Sequence, residues 1–350
     1  MNRQDASVSI GPFKLQNPVI CGSGESVMTP NAIAAALATG VAGVIAKSIN
    51  ENPLAAKQLD HADYVALNSA FESVPWFEAS PRETSVLCRS GLAQVDAASW
   101  LAELGRLDER ARQDHQFVAA SVAFGALDGC LRIVEMAQRA KLRVFELNIG
   151  AAHGEEVAYG AITVTQESER VHAIVDAVRQ STDMQVWVKL TGLNADLPRL
   201  AETVRDAGGN AVVLASRFMA LLPDPETMLP VLGTAGAYGG RWALPITCRR
   251  LAQVRQRTGA SVSLIGTNGA RSGLDAIRML LAGASAVELT SLTANGFQLL
   301  GEAVAEVQAY LDRKTTPARA IVGRAADAST TYTQQPAIPG NWRKYAPVSS

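Results

Sequence analysis

The sequence predicts a single closed barrel of eight parallel β-strands surrounded by helices, the (β/α)8 architecture. Short, continuous apolar runs alternate with longer segments of helical period, as expected for parallel strands that are covered on both faces. The 350 residues fit one large barrel. An open doubly wound sheet usually carries G-x-G-x-x-G after its first strand, whereas this chain has CGSGES there.

The predicted elements follow each other in regular β/α order. The strands are the apolar, β-branched runs at residues 18–21, 43–46, 117–122, 143–147, 185–190, 211–215, 261–266 and 285–289. The helical candidates have apolar residues three and four positions apart. They include residues 31–39, 128–140, 167–181, 197–207, 251–258, 275–282 and 296–313.

Two stretches depart from this order. Residues 50–115 are too long for one crossover, so an insertion after the second strand is predicted, with a helix of its own near residues 97–113. Residues 316–350 are rich in Pro, Thr and Ala, which predicts a C-terminal tail that wraps the barrel or frays. One domain is therefore expected over residues 1–315.

Composition narrows the function classes. The 32 basic and 33 acidic residues nearly balance, so the composition does not indicate a basic surface and gives no support for nucleic-acid binding. The cysteines, Cys21, Cys88, Cys130 and Cys248, show no C-x-x-C spacing, which argues against a zinc or iron–sulfur site and against a disulfide framework. A cytoplasmic protein is expected. No run approaches the ~18 apolar residues of a membrane span, and the N-terminus lacks the apolar core of a signal peptide.

Polar residues at the predicted strand ends are the candidate site residues, because barrel enzymes place their chemistry at the C-terminal ends of the strands. They are Ser23, Gly24, Lys47, Ser48, Ser121, Asn148, Lys189, Ser216, Arg217, Asn268, Gly269, Thr290 and Ser291. Lys47 and Lys189 close apolar strand runs. Because burying a lysine alone is costly, each predicts an anionic ligand or a structural carboxylate partner.

The last two strand ends predict a phosphate site. In LIGTNGARSG, Gly269 would let backbone N–H groups approach an anion, and a helix follows from about Ser272. In AVELTS, Thr290 and Ser291 offer two hydroxyl groups. Loops after the seventh and eighth strands commonly hold phosphate in such barrels. The alternative is that these are two ordinary glycine-rich turns.

Seven segments carry a family resemblance. NPVICGSG, GVIAKS and WVKL resemble the first-strand motif and the two strand-end lysine motifs of class 1 dihydroorotate dehydrogenases. Their substrate segments are similar to YVALNS and FELNIG, and their Gly-Gly segment is similar to AYGGRWALP. IGTNGARSGLDAIRMLLAGASAVELTS resembles their phosphate-binding end. The matches run in order from about Asn17 to Ser291, and ELNIGAAHGEE is nearest to the dihydropyrimidine dehydrogenase version.

The resemblance implies FMN as the cofactor. Asn268, Gly269, Thr290 and Ser291 would hold its phosphate. Ser23 and Gly24, at the end of the first strand, would contact the isoalloxazine ring. The other expected cofactor contacts are Lys47, Ser48, Asn148, Lys189, Gly239 and Gly240. Lys189 would approach the N1/O2 edge, where a fixed cation stabilises the charge that develops on reduction.

The resemblance also implies a substrate site, with Lys47 between flavin and substrate as a catalytic residue. Asn68 and Asn148 match two family asparagines that read the substrate. A third family asparagine falls at Ser216, with Arg217 beside it. Arg217 would suit a substrate carboxylate, because its planar fork matches that group; the alternative is a surface arginine.

The catalytic base of the family falls at Ala151, which cannot move a proton. His153 is the candidate replacement acid or base, because imidazole titrates near working pH, and Glu155 and Glu156 follow on the same loop. Alternatively, His153 is a binding group or a solvated loop residue. A further family asparagine falls at His153. The missing base, together with the asparagines missing at His153 and Ser216, counts against ordinary dihydroorotate oxidation.

Three functions remain open. The leading one is an FMN-dependent oxidoreductase that transfers hydride between flavin and a small polar substrate at a CH–CH or C–N bond. The second is a true dihydroorotate or dihydropyrimidine dehydrogenase with an unusual base. The third is a flavin-free, phosphate-binding barrel that acts as a lyase or isomerase or only binds a ligand. A homodimer is expected. Because the chain has no iron–sulfur ligand set, an iron–sulfur electron relay would need a separate partner chain.

Overall fold

The predicted barrel is confirmed by the computed structural model, which describes residues 3–76, 82–150 and 167–346. Eight parallel strands close on one another, with β8 pairing back to β1. In chain order they are β1 (Val19–Cys21), β2 (Gly43–Ile45), β3 (Phe117–Ala123), β4 (Val144–Asn148), β5 (Gln185–Thr191), β6 (Ala211–Ser216), β7 (Leu264–Thr267) and β8 (Ala286–Leu289). Every predicted strand therefore corresponds to one barrel strand.

Each strand is followed by an outer helix. These are α1 (Pro30–Leu37), α2 (Ala97–Ala111), α3 (Leu127–Arg139), α4 (Ser168–Gln180), α5 (Leu197–Asp206), α6 (Leu244–Thr258), α7 (Gly273–Leu281) and α8 (Gln298–Lys314). The helix expected inside the insertion is α2, which packs against β3 as the second crossover and belongs to the barrel itself. Helix α6 begins seven residues before the prediction, because Pro245 lies in its first turn, where a missing N–H costs nothing.

A second sheet, which the sequence did not reveal, stands beside the barrel. It contains five antiparallel strands: Asp63–Leu67, Ser73–Val74 and Ser85–Arg89 from the insertion after β2, and Phe218–Ala220 and Gly236–Gly239 from a second insertion after β6. Gly239 pairs with Val86, so the two insertions form one surface.

The core fills the barrel and the layer between strands and helices. Near the strand starts, Phe13 of an N-terminal hairpin contacts Phe117 and Trp187 edge to face. The first part of the tail lies against the barrel. The Ala318 N–H donates to the Asp5 carbonyl, and Asp327 forms an ion pair with Arg255. No helix among the described residues has the length and hydropathy needed to cross a bilayer.

Candidate active site

A cavity of about 790 Å³ opens at the C-terminal ends of the barrel strands, between the barrel and the second sheet. Its volume is in the range of small-molecule and cofactor pockets. The strand-end residues singled out from the sequence that line it are Ser23, Gly24, Lys47, Ser48, Asn148, Lys189, Ser216, Arg217, Gly239, Asn268, Gly269, Thr290 and Ser291. The barrel thus brings residues from nearly every strand end to one place.

Asn68, Gly240 and Ser121 are candidates that do not line the cavity. Asn68 is half-buried at the start of an exposed turn, where its amide donates to Glu72 at 2.8 Å. Gly240 lies behind the wall, and a Cβ there would stand 2.4 Å from Ser85 Oγ, so only glycine fits this close approach. His153, together with Ala151 and the two neighbouring glutamates, lies outside the described residues.

The floor of the cavity is a buried ion cluster. Lys189 Nζ lies 2.8 Å from Glu146 Oε2 and 2.8 Å from Glu288 Oε2. Burial alone would lower the pKa of Lys189, but the two carboxylates outweigh it and raise that pKa. Burial and the nearby Glu146 raise the pKa of Glu288 well above its usual range. The buried lysine therefore has structural carboxylate partners and also faces the cavity.

A chain of hydroxyl groups joins this floor to the cavity wall. Ser121 donates to Glu146 Oε1 at 2.8 Å, and its oxygen lies 2.8 Å from Ser48 Oγ. Ser48 Oγ is 3.3 Å from Ser23 Oγ, and both of these serines line the cavity. Hydroxyl groups can donate and accept at once, so this row can carry a proton between cavity and floor.

Lys47 belongs to a second charged group on the wall. Its Nζ donates to Glu25 Oε1 at 2.8 Å, and the Tyr64 hydroxyl donates to the same oxygen at 2.5 Å. Burial alone would raise the pKa of Glu25, but the charges of Lys47 and Arg217 and these two hydrogen bonds bring it down to about 2. Glu25 is therefore ionised at neutral pH and holds Lys47 in place.

Arg217 stands on the same wall. Its guanidinium donates to Cys88 Sγ at 2.5 Å and to Ser90 Oγ at 3.2 Å; Cys88 lies in strand Ser85–Arg89 of the second sheet, and Ser90 directly follows that strand. Among the described residues, no carboxylate lies within ion-pair distance of Arg217. With Lys47 and Glu25 nearby, this wall carries one more positive than negative charge, so it favours a ligand with an anionic group.

The turn after β7 is shaped for close approach. Asn268 has φ of 67° and Gly269 has φ of 105°, and Thr247 fixes the turn by donating to the Asn268 carbonyl at 3.0 Å. A Cβ on Gly269 would lie 2.4 Å from the Leu244 nitrogen. The Asn268 amide nitrogen is buried without a hydrogen-bond partner among the described residues, so it can donate to a ligand in the cavity.

The start of α7 contributes less than the sequence suggested. The Gly273 N–H donates to Glu306 at 2.7 Å, and the Asp275 N–H donates to Ser272 Oγ at 3.1 Å. Side chains of the protein therefore already accept hydrogen bonds from these two N–H groups, which were expected to bind an anion. An anion at this corner would meet the turn at Asn268 and the hydroxyl groups after β8, not the helix start.

Sequence reasoning missed several site residues. Glu146 and Glu288 stand inside the apolar runs FELN and AVEL, and a charge inside a buried strand was a usable signal for an internal partner. Tyr64, Cys88 and Ser90 gave no such signal, because pairing of the second sheet brings Tyr64 and Cys88 to the cavity, and Ser90 directly follows strand Ser85–Arg89.

Comparison with known proteins gives consistent matches. A family profile described as Dihydroorotate dehydrogenase matches residues 77–311. Relatives named "Dihydroorotate dehydrogenase B (NAD(+)), catalytic subunit" include one from Methanosarcina acetivorans, 28% identical over 86% of this chain and 90% of its own length. The proteins of that name from Pyrococcus furiosus and Pyrococcus horikoshii are 28% and 27% identical, over 85% and 93% of this chain and 91% and 99% of their own lengths.

Proposed function

The chain belongs to the dihydroorotate dehydrogenase family, and we propose that it is an FMN-dependent oxidoreductase that transfers hydride to or from a small polar substrate with an anionic group. The observation that carries this proposal is one cavity with Lys189 on its floor and Arg217, which lacks a carboxylate partner among the described residues, on its wall. Lys189 would stabilise the negative charge that develops on the cofactor, and Arg217 would hold the anionic group of the substrate.

The residues at the turn after β7 and the end of β8 fit the phosphate of FMN. Asn268 offers a buried donor without a partner among the described residues, and Thr290 and Ser291 line the same cavity. A Cβ on Gly24 would stand 2.6 Å from Thr290 Cγ2, so glycine leaves room where β1 and β8 end. Bound FMN supplies the hydride-accepting or hydride-donating ring, and Lys189 supplies a fixed positive charge next to it.

We expect Asn268→Asp to weaken FMN binding by roughly 10- to 100-fold, because a donor aimed at phosphate becomes a negative acceptor of the same shape. Flavin fluorescence during titration of the cofactor-free protein with FMN measures the change. Asn210→Asp is the matched control, since Asn210 uses its side-chain oxygen as an acceptor, away from the cavity. Equal affinity in wild type and Asn268→Asp would remove Asn268 from the phosphate site.

The substrate side of the proposal rests on Lys47, Arg217 and Asn148, which line the cavity above the floor. Arg217 would hold the anionic group, and Lys47, fixed by Glu25, would lie between cofactor and substrate. Ser216 is a weaker candidate for substrate contact, because its hydroxyl donates to the Gly150 carbonyl at 3.4 Å. Asn68 would need the turn around it to move before it could read a substrate.

His153 is proposed as the group that moves the substrate proton in place of the base missing at Ala151. We expect His153→Ala to slow flavin reduction by roughly 10²-fold, the usual scale of general acid–base help. The wild-type rate should depend on an ionisation between about pH 5.5 and 7.5 that the variant lacks. His172→Ala, on the exposed face of α4, is the control. Matching rate profiles in stopped-flow experiments would assign the proton to another group.

Mass spectrometry of the cofactor released from the purified protein tests the main proposal. FMN supports it, whereas FAD or the absence of flavin contradicts it, and the latter would favour the flavin-free lyase, isomerase or binding protein. Turnover of dihydroorotate or of a dihydropyrimidine would favour the second function, a true dehydrogenase of that substrate with an unusual base.

The assembly is part of the same proposal. The relatives are named as catalytic subunits, which supports a separate electron-transfer chain as partner. We further propose a homodimer in the cytoplasm. The mass of the purified protein, measured by light scattering at several concentrations, tests the dimer, and a monomer at all concentrations would exclude it.

A further inference from the structure

The cavity floor holds one more carboxylate than its lysine can neutralise. Glu146 is 0% exposed, Glu288 is 2% exposed and Lys189 is 7% exposed, and both carboxylates contact the same ammonium group. With both glutamates ionised, the cluster would bury a net charge of −1. An uncompensated buried charge is strongly unfavourable, and a group in that situation takes up a proton instead.

Among the described groups that face Glu288, the two carboxylates are the sites where this proton can bind. Glu146 comes from β4, Lys189 from β5 and Cys21 from β1, and burial raises the pKa of the Cys21 thiol so that it stays neutral. Among the described residues, no second cation contacts the two carboxylates. The favourable state is therefore one lysine cation, one carboxylate and one carboxylic acid, a neutral set.

Hydrogen bonds around β3 provide a path for exchange of this proton. Glu146 Oε1 accepts from Ser121, and the row of hydroxyl groups continues through Ser48 to Ser23 at the cavity wall. The Glu288 side chain itself lines the cavity. The pair is therefore buried from bulk solvent, yet connected to the space where the cofactor would lie.

We propose that Glu146 and Glu288 share one proton at neutral pH and that this pair gains proton affinity when electrons enter the bound cofactor above it. The second half rests on the proposed function, whereas the first half does not. The proton comes from solvent through the serine row, and the electrons come from the substrate. With the proton in place, the floor is neutral and does not repel negative charge that develops beside Lys189.

The shared proton is tested first without any cofactor. The folded protein holds a proton that the unfolded chain releases above the ordinary glutamate pKa of 4.5, so the free energy of unfolding should fall as pH rises through the weakly acidic and neutral range. Urea denaturation of cofactor-free wild type across pH 5 to 9 measures the number of linked protons. We expect Glu288→Gln to lower the number of protons linked to unfolding, which this slope measures, by up to one.

The matched variants separate a shared proton from a structural effect. Glu146→Gln should abolish the same linked proton, because the remaining carboxylate then forms a simple ion pair with Lys189. Glu135→Gln on the outer face of α3, where Glu135 pairs with Arg139, should leave the slope unchanged. If one variant fails to fold, the other still gives the answer. An unchanged slope in a folded Glu288→Gln or Glu146→Gln protein overturns the proposal.

The link to electron entry is tested in the holoenzyme. Proton uptake during anaerobic dithionite titration is followed with a pH indicator in weak buffer at several pH values. In the alkaline range, wild type should take up as much as one more proton per two electrons than Glu288→Gln. Equal uptake at every pH overturns the link. If the purified protein contains no flavin, the proposed function is contradicted. The denaturation experiment on the cofactor-free protein would still show whether the two glutamates share a proton.

Discussion

Lys189→Met should destabilise the fold by about 3–5 kcal/mol at neutral pH, the usual cost of removing one partner from a buried ion pair. The variant leaves Glu146 and Glu288 together in the barrel without their cation. Protonation of both carboxyl groups offsets this, so the loss should shrink as pH falls towards the ordinary glutamate range. Chemical denaturation at pH 5 and pH 8 measures the difference.

The same variant should slow flavin reduction by roughly 10²–10³-fold, the scale of one preorganised electrostatic contact in an active site. A second variant, Lys189→Met with Glu288→Gln, is the matched control for stability, because it removes one of the two stranded carboxylates. We expect the double variant to recover much of the stability and little of the rate. If rate and stability recover together, Lys189 acts on the fold alone. Stopped-flow reduction at wild-type speed in folded Lys189→Met contradicts the cofactor role.

Arg217→Met should weaken binding of small carboxylates by roughly 10²-fold or more, since loss of one partner of a buried charge pair costs about 2–5 kcal/mol. Methionine keeps most of the length of the side chain and removes the charge. Orotate and uracil are suitable probes, because they share a ring and differ by the carboxylate. Changes in the flavin absorption spectrum during titration give both affinities. We expect only the orotate affinity to fall.

Arg89 provides the control for this variant. It also lines the cavity, but its guanidinium is already held by Asp63 and the Leu232 carbonyl. Arg89→Met should therefore leave the orotate affinity near the wild-type value. Equal losses in both variants would indicate a general effect of positive charge in the cavity. An unaffected orotate affinity in Arg217→Met would remove the anionic group from the substrate description.

The barrel could be predicted because its signals are local. Each strand is a continuous apolar run, and a polar residue at its end, such as Lys47 or Asn268, needs only the (β/α)8 topology to reach the cavity. The second sheet could not be predicted in the same way. Strand Ser85–Arg89 pairs with Gly236–Gly239 across about 150 residues, and pairing over such a distance leaves no periodicity in either segment.

The ion cluster shows a different limit of sequence reasoning. The motif around Lys189 predicted a buried cation, but the partners lie on β4 and β8, and only closure of the barrel brings them within 2.8 Å. Asn68 shows the reverse case. Its segment matches a substrate motif, while the local hydrogen bonds to Glu72 place it in an exposed turn. A motif identifies residue types, and the tertiary contacts decide which of them face the ligand.

The origin of the cavity walls has a consequence for how new specificities could arise. The proposed phosphate corner and the lysine floor are built on barrel strands and the turns that follow them, whereas Cys88 and Ser90, which contact Arg217, come from the insertion after β2. The segment that positions Arg217 and the strand ends proposed to hold the cofactor phosphate are therefore encoded in separate stretches of the gene. Exchange of residues 63–90 can change how Arg217 is held while the lysine floor and the ends of β7 and β8 stay as they are.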